Sequence, residues 1–171
     1  MEKPITVAQS LRHARHDFLN DLQLIKMNLD LGRYKEAQAI IRSHAEASMH
    51  ASRLADIGLP LTEEWLLTAN WRYTGIQILV ECYAIAAPSH LDGAFRRFFE
   101  KVMEVAQQSL DPERMVDCTI SLTSDATGFR ITMTCPENWP GINKVETDGF
   151  TVRKECSDNG ARLTVRAQME G

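Results

Sequence analysis

The chain has 171 residues and a mass of 19.3 kDa, enough for one ordinary domain or two small ones and too little for a large multidomain enzyme. Its 44% hydrophobic and 25% charged residues match soluble globular averages, which excludes a disordered or fibrous chain. Nineteen Lys+Arg against 23 Asp+Glu leave a net charge of -4, too acidic for binding dominated by phosphate neutralisation, so nucleic acid is not an expected partner.

The opening residues, MEKPITVAQSL, have no apolar stretch after their basic residue, and the longest uncharged run, 82–91, is short and carries Pro88 and His90. A cytoplasmic protein with no membrane partner is expected. At about 100° per residue, Val7, Leu11, Ala14, Phe18, Leu22, Ile25 and Leu29 fall within about 40° of one line. That spacing is an a/d heptad seam and predicts a coiled-coil-like helix. Gly32 stands just past the last periodic position, where a C′ glycine ends a helix. From Tyr34 the pattern resumes through Ala37, Ile41, Ala45, Ser48, Ser52 and Ala55, a stripe of mostly small residues that lets a partner helix come close. Residues 5–56 therefore read as a helical hairpin. Two helices alone bury too little apolar surface to offset the entropy of ordering them, so a homodimer in which two hairpins form a four-helix bundle is expected.

Gly58-Leu59-Pro60 separates the hairpin from the rest of the chain and sets the expected domains at 1–58 and 59–171. Thr62-Glu63-Glu64 reads as an N-cap with an acidic first turn, opening a helix over 62–73. A strand over 76–84 and a helix over about 91–109, ended by Asp111-Pro112, come next. Alternating Thr, Ile and Val predict strands over 115–123 and 128–135, joined as a hairpin at Ser124-Asp125-Ala126-Thr127-Gly128. Residues 161–167 alternate in the same way, whereas the residues from Val152 read equally as strand or short helix. The expected fold class is α+β, with helices against a mainly antiparallel sheet. Cys82, Cys118, Cys135 and Cys156 form no C-x-x-C pair and read as buried thiols.

The candidate chemistry lies in the run Arg12-His13-Ala14-Arg15-His16-Asp17-Phe18-Leu19-Asn20-Asp21-Leu22-Gln23. His16 falls about 160° from the seam on the same wheel, beside Asn20, Gln23 and Met27, and so faces solvent. A neutral imidazole is nucleophilic near pH 7 without a dedicated base and accepts a phosphoryl group. Asp17 is placed to accept the ring's Nδ1–H, which leaves Nε2 as the attacking atom. The plain alternatives are a surface histidine without chemistry and a solvated aspartate. No metal site is expected. His13 and His16 share one side of the helix without a further ligand, His44 and His50 lie about 120° out of alignment, and His90 sits in a loop.

The run Arg15-His16-Asp17-Phe18-Leu19-Asn20-x-Leu22-Gln23-Leu24-Ile25 resembles the phosphoacceptor helix of the sporulation initiation phosphotransferase B family and of the related citrate-type sensor histidine kinases, with their H-[DE]-F-x-N-x-L pattern. Thr62-Glu63-Glu64-Trp65-Leu66-Leu67 followed by Gly75-Ile76-Gln77 is similar to the segment that opens the kinases' ATPase domain, and 98–106 is similar to their N-box helix. The resemblance implies a helical phosphoacceptor hairpin followed by a kinase-ATPase-like α/β sandwich. The nucleotide motifs are altered. Where the kinase N-box has two asparagines, one of them holding the Mg²⁺ of ATP, this chain has Lys101 and Val105, and valine cannot ligate a hard cation. Cys135-Pro136-Glu137-Asn138-Trp139-Pro140-Gly141 stands where a D-x-G-x-G loop would follow the 128–135 strand. A degenerate ATPase-like domain without kinase activity is therefore expected.

The resemblance implies a histidine phosphotransferase of a phosphorelay. His16 would take a phosphoryl group from the aspartyl phosphate of one response regulator and pass it to an aspartate of a second, with sporulation as the process controlled. Arg15, Asp17 and Asn20 would support His16. Asn20, Gln23, Leu24, Met27 and Leu31 share its outward face and are the expected partner footprint, with packing on the second helix as the alternative for Leu24 and Leu31. No cofactor of the chain's own is expected, because the receiver domain brings its acidic pocket and Mg²⁺. An ATP-dependent sensor kinase fragment and a non-enzymatic dimeric adaptor are the rival readings.

Overall fold

The computed structural model describes residues 5–109, 114–137, 139, 147, 149–157 and 160–169. They form two compact units, Met1–Met49 and His50–Gly171. The first holds helix α1 (Val7–Asp30) and most of α2 (Tyr34–Asp56). The Gly32 link is a Schellman turn. Gly32 adopts φ +69°, its N–H donates to Leu29 O at 3.0 Å, and Arg33 N–H donates to Asn28 O at 2.8 Å.

The second unit takes in the end of α2, then α3 (Pro60–Arg72), β1 (Ile76–Cys82), α4 (Asp92–Ser109) behind a single 3₁₀ turn at Ser89–Leu91, and β2 (Val116–Asp125), β3 (Gly128–Cys135), β4 (Thr151–Ser157) and β5 (Gly160–Ala167). The sheet order is β1-β2-β3-β5-β4. The β1–β2 pair is parallel, as its crossover through α4 requires, and the remaining pairs are antiparallel. The fold is α+β. The residues from Val152 onward, open between strand and helix in the sequence, are strand β4.

One side of the sheet is apolar. Ile76, Ile78, Cys82, Val116, Cys118, Ile120, Leu122, Phe129, Ile131, Met133, Leu163 and Val165 alternate along the strands onto a core shared with α3 and α4. Trp65 of α3 stacks on Phe99 of α4 with ring centroids 4.8 Å apart, and Phe95 packs on Phe129 and Phe150. Leu54, Ile57 and Leu59 carry the end of α2 and the link after it into the same core.

The start of α3 differs from the sequence reading. The helix begins at Pro60, the N1 position for which its fixed φ is suited. Its open N–H groups are capped not by Thr62 but by Asp92, the first residue of α4. Leu61 N–H donates to Asp92 Oδ2 and Thr62 N–H to Oδ1, both at 2.8 Å, while the Thr62 hydroxyl donates to the Asp92 carbonyl at 3.2 Å. The carboxylate also complements the helix dipole. Along β1, Asn70 accepts from Ile78 N–H at 2.7 Å and donates to its carbonyl at 2.9 Å, and Cys82 N–H donates to His50 Nδ1 at 3.1 Å. Side chains thus occupy the edge of β1 that no strand among the described residues covers.

Cys82, Cys118 and Cys135 are buried free thiols, and the Cys156 side chain lies outside the described residues. Burial raises the pKa of Cys82, and the neighbouring Cys135 thiol together with burial raises that of Cys118. Among the described residues no helix is long and apolar enough to cross a membrane.

Candidate functional site

Helix α1 is closed at both ends, which fixes the side chains between. At its start Gln9 N–H donates to Thr6 Oγ1 at 3.2 Å, and Thr6 N–H donates to Gln9 Oε1 at 2.9 Å, a reciprocal capping box. At its end stands the Schellman turn. His16 lies near the middle of the 24-residue helix with its side chain 72% exposed. Asp17 Oδ1 is 3.5 Å from His16 Nδ1, and Asn20 Nδ2 is 3.2 Å from the same nitrogen. The i+1 and i+4 side chains therefore both lie at Nδ1, and neither contacts Nε2.

Arg15, Asn20 and Gln23 are exposed, as are Leu24 at 45%, Met27 at 48% and Leu31 at 59%. The expected footprint thus stands open on the face of His16, including the two leucines for which packing on the second helix was the alternative. The seam on the opposite face is open as well. Val7, Leu11, Phe18, Leu22 and Leu29 are all exposed within the single chain. One helix carries two apolar stripes that its own hairpin leaves uncovered.

A link within the hairpin escaped the sequence reading. His44 Nδ1 of α2 lies 3.0 Å from Asp21 Oδ2 of α1, and its ring packs on Phe18 with centroids 5.7 Å apart. A signal existed, since Asp21 stands as far before Gly32 as His44 stands after Arg33. Counting outward from the turn pairs them. The Asp92 cap had no local signal, being set by two helix starts distant in sequence.

In the second unit Lys101 is exposed and Val105 is partly buried against the core. A kinase-type domain would need an oxygen ligand from this helix for the nucleotide's cation, and neither side chain offers one. Past β3, the chain buries Trp139, whose indole N–H has no partner among the described residues. These residues do not fit an ATP–metal site. No group of three His, Cys, Asp or Glu among the described residues is placed to hold a metal.

A helical hairpin followed by a separate α+β unit of five mixed strands is a fold like that of the histidine kinases. Residues 2–57 match the alpha-helical domain of SpoOB-type sensor kinases, a likeness that concerns the helical hairpin. It is 30% identical over 116 residues to the sporulation initiation phosphotransferase B of Bacillus subtilis (strain 168), an alignment covering 67% of this chain and 60% of that protein. The match thus spans less than two thirds of the relative's length. Among solved structures the blue-light activated histidine kinase of Erythrobacter litoralis EL346 superposes with a TM-score of 0.52 at 11% identity, covering 99% of this chain and 63% of that one. At that identity the likeness concerns the fold alone.

Proposed function

We propose that this protein is a histidine phosphotransferase of a phosphorelay controlling sporulation, working in the cytoplasm as a homodimer. The observation that carries the reading is the state of His16. Its side chain is open to solvent on a helix capped at both ends, and Nδ1 faces Asp17 and Asn20, which leaves Nε2 as the nitrogen available for attack. With Nδ1–H held by Asp17, the Nε2 lone pair attacks the phosphorus of an aspartyl phosphate in line. The N–P bond forms as the P–O bond to the donor carboxylate breaks, and the carboxylate leaves with that electron pair. The ring keeps its Nδ1 proton and a positive charge that the Asp17 carboxylate offsets. Attack by an aspartate of the second regulator reverses these steps and returns neutral imidazole.

The chain needs no cofactor of its own for this, because the receiver domain's Mg²⁺ and acidic pocket neutralise the transferred group. Its contribution is a nucleophile held in one orientation. Arg15 lies beside the reacting residue as a further cation. Asn20, Gln23, Leu24, Met27 and Leu31 form the receiver contact, with apolar Leu and Met in its centre and amides at its rim. The relative's printed name, a sporulation initiation phosphotransferase, supports this assignment.

The test is to mix the purified protein with a phosphorylated response regulator. Acid-labile label on His16 is expected, with His16→Gln reducing transfer by ~10³-fold or more because a carboxamide has no nucleophilic nitrogen to replace the imidazole's. Transfer that survives in the glutamine variant supports an adaptor, and labelling of His16 by ATP and Mg²⁺ alone supports a kinase.

A further inference from the structure

Acidic residues outnumber basic ones in the second unit. On the sheet face turned away from its core, β1 and β2 set Glu81, Asp117 and Asp125, yet across β3, β5 and β4 that face carries four arginines and one glutamate. Along β3, β5 and β4 the core side chains alternate with Arg130, Arg162, Arg166 and Arg153. The strand register sets Arg130 directly opposite Arg166, Arg162 between Thr134 and Glu155, and Arg153 opposite Thr164. Like charges directly opposite each other on a sheet repel, and Asp125 lies near only the Arg130 member of the Arg130–Arg166 pair.

Their local neutralisation is incomplete. Arg153 pairs with Glu155 at 3.0 Å and Arg130 lies 3.9 Å from Asp125. Arg162 has Glu155 as its cross-strand neighbour, but that carboxylate pairs with Arg153, and neither Arg162 nor Arg166, both exposed, has a described carboxylate within 4.0 Å. These two stand four residues apart on one strand, about 13 Å, with Thr164 between them. Every cation on this face of the three strands is arginine. A guanidinium fork binds carboxylates in a bidentate manner and is enriched at protein interfaces. The face has no aromatic residue on which bases would stack.

We propose that the outer face of β3, β5 and β4 is a docking surface for an acidic polypeptide segment, held by Arg130, Arg162 and Arg166. The inference is independent of the role of His16. It is tested with the full chain and a fluorescein-labelled peptide of alternating Asp and Glu, followed by fluorescence anisotropy. Saturable binding is expected at low salt, weakening ~10-fold or more at high salt as exposed charges are screened. The pair Arg162→Gln and Arg166→Gln weakens it by a further ~10-fold because the lost groups are charge-assisted donors, with the thermal midpoint held or raised, since both side chains are exposed and the Arg130–Arg166 repulsion is removed. Lys101→Gln on α4 serves as a charge control and leaves binding unaltered. The proposal is overturned by an absence of binding at low salt, by equal binding of the double variant, or by a single-stranded oligonucleotide of matched charge binding more tightly than the peptide.

Discussion

At the scale of the residue, the chemistry turns on one proton. Asp17 accepts from Nδ1–H, whereas the amide Nδ2 that Asn20 turns toward the same nitrogen suits an Nδ1 lone pair. The two neighbours favour opposite tautomers. The anionic acceptor is the stronger of the two, and a half-turn of the Asn20 carboxamide presents its oxygen so that both side chains hold Nδ1–H. The Nδ1–H tautomer is therefore predicted to dominate in the neutral imidazole of His16, as long-range ¹H–¹⁵N correlation would show. Replacing Asp17 with Asn should shift that balance and slow transfer ~10–100-fold, the usual effect of removing an imidazole's orienting partner. A dominant Nε2–H form in the unaltered protein would contradict the assignment. The exposure of His16 was legible in the sequence because it follows from helical periodicity. Asp17, at i+1, comes within 3.5 Å of Nδ1 only by turning its side chain toward the ring, which periodicity does not encode. The presence of Asn20 on Nδ1 follows from the i, i+4 rule, though the sequence reading gave it only a general supporting role.

At the scale of the element, the helices and strands whose signals are local are the ones the sequence displays. The α1 seam, the Gly32 stop and the alternation of β2, β3 and β5 are written within a few residues of where they act. The start of α3 is not, since the group that caps it belongs to α4. Asp92 is buried with both carboxylate oxygens engaged, so Asp92→Ala should cost about 2 kcal/mol, the upper range for loss of a cap. A urea midpoint shifted by that amount with unchanged slope would bear this out, and an unchanged midpoint would refute it. The β2–β3 turn gives a pH dependence of known sign. The Thr127 hydroxyl and backbone N–H donate to Asp125 and lower its pKa. The folded-state value lies below the unfolded one, so the turn's contribution is complete above the ordinary carboxylate range, about 4, and is lost as pH falls through the depressed value. The Thr127 amide shift, followed by NMR, should titrate below that range.

At the scale of the whole molecule, the seam on α1 remains to be covered. Val7 is 77% and Leu11 60% exposed in the single chain, and an a/d stripe of this length is satisfied by a second hairpin in a four-helix bundle. Sedimentation should show a dimer at micromolar concentration and a monomer for Phe18→Glu combined with Leu22→Glu, whose buried charges would oppose the bundle. A folded monomer of the unaltered chain would defeat the bundle. The ladder order of the sheet was beyond the sequence, because pairing β5 between β3 and β4 depends on long-range contacts that no local pattern encodes.

If phosphorus passes through His16 without ATP, a relay of three components should run free of nucleotide. Labelled receiver, this protein and a second receiver are mixed and sampled over time. Label is predicted to leave the first receiver, appear on His16 in acid-labile form, and then accumulate on the second. Label reaching the second receiver without ever residing on His16 would contradict that route.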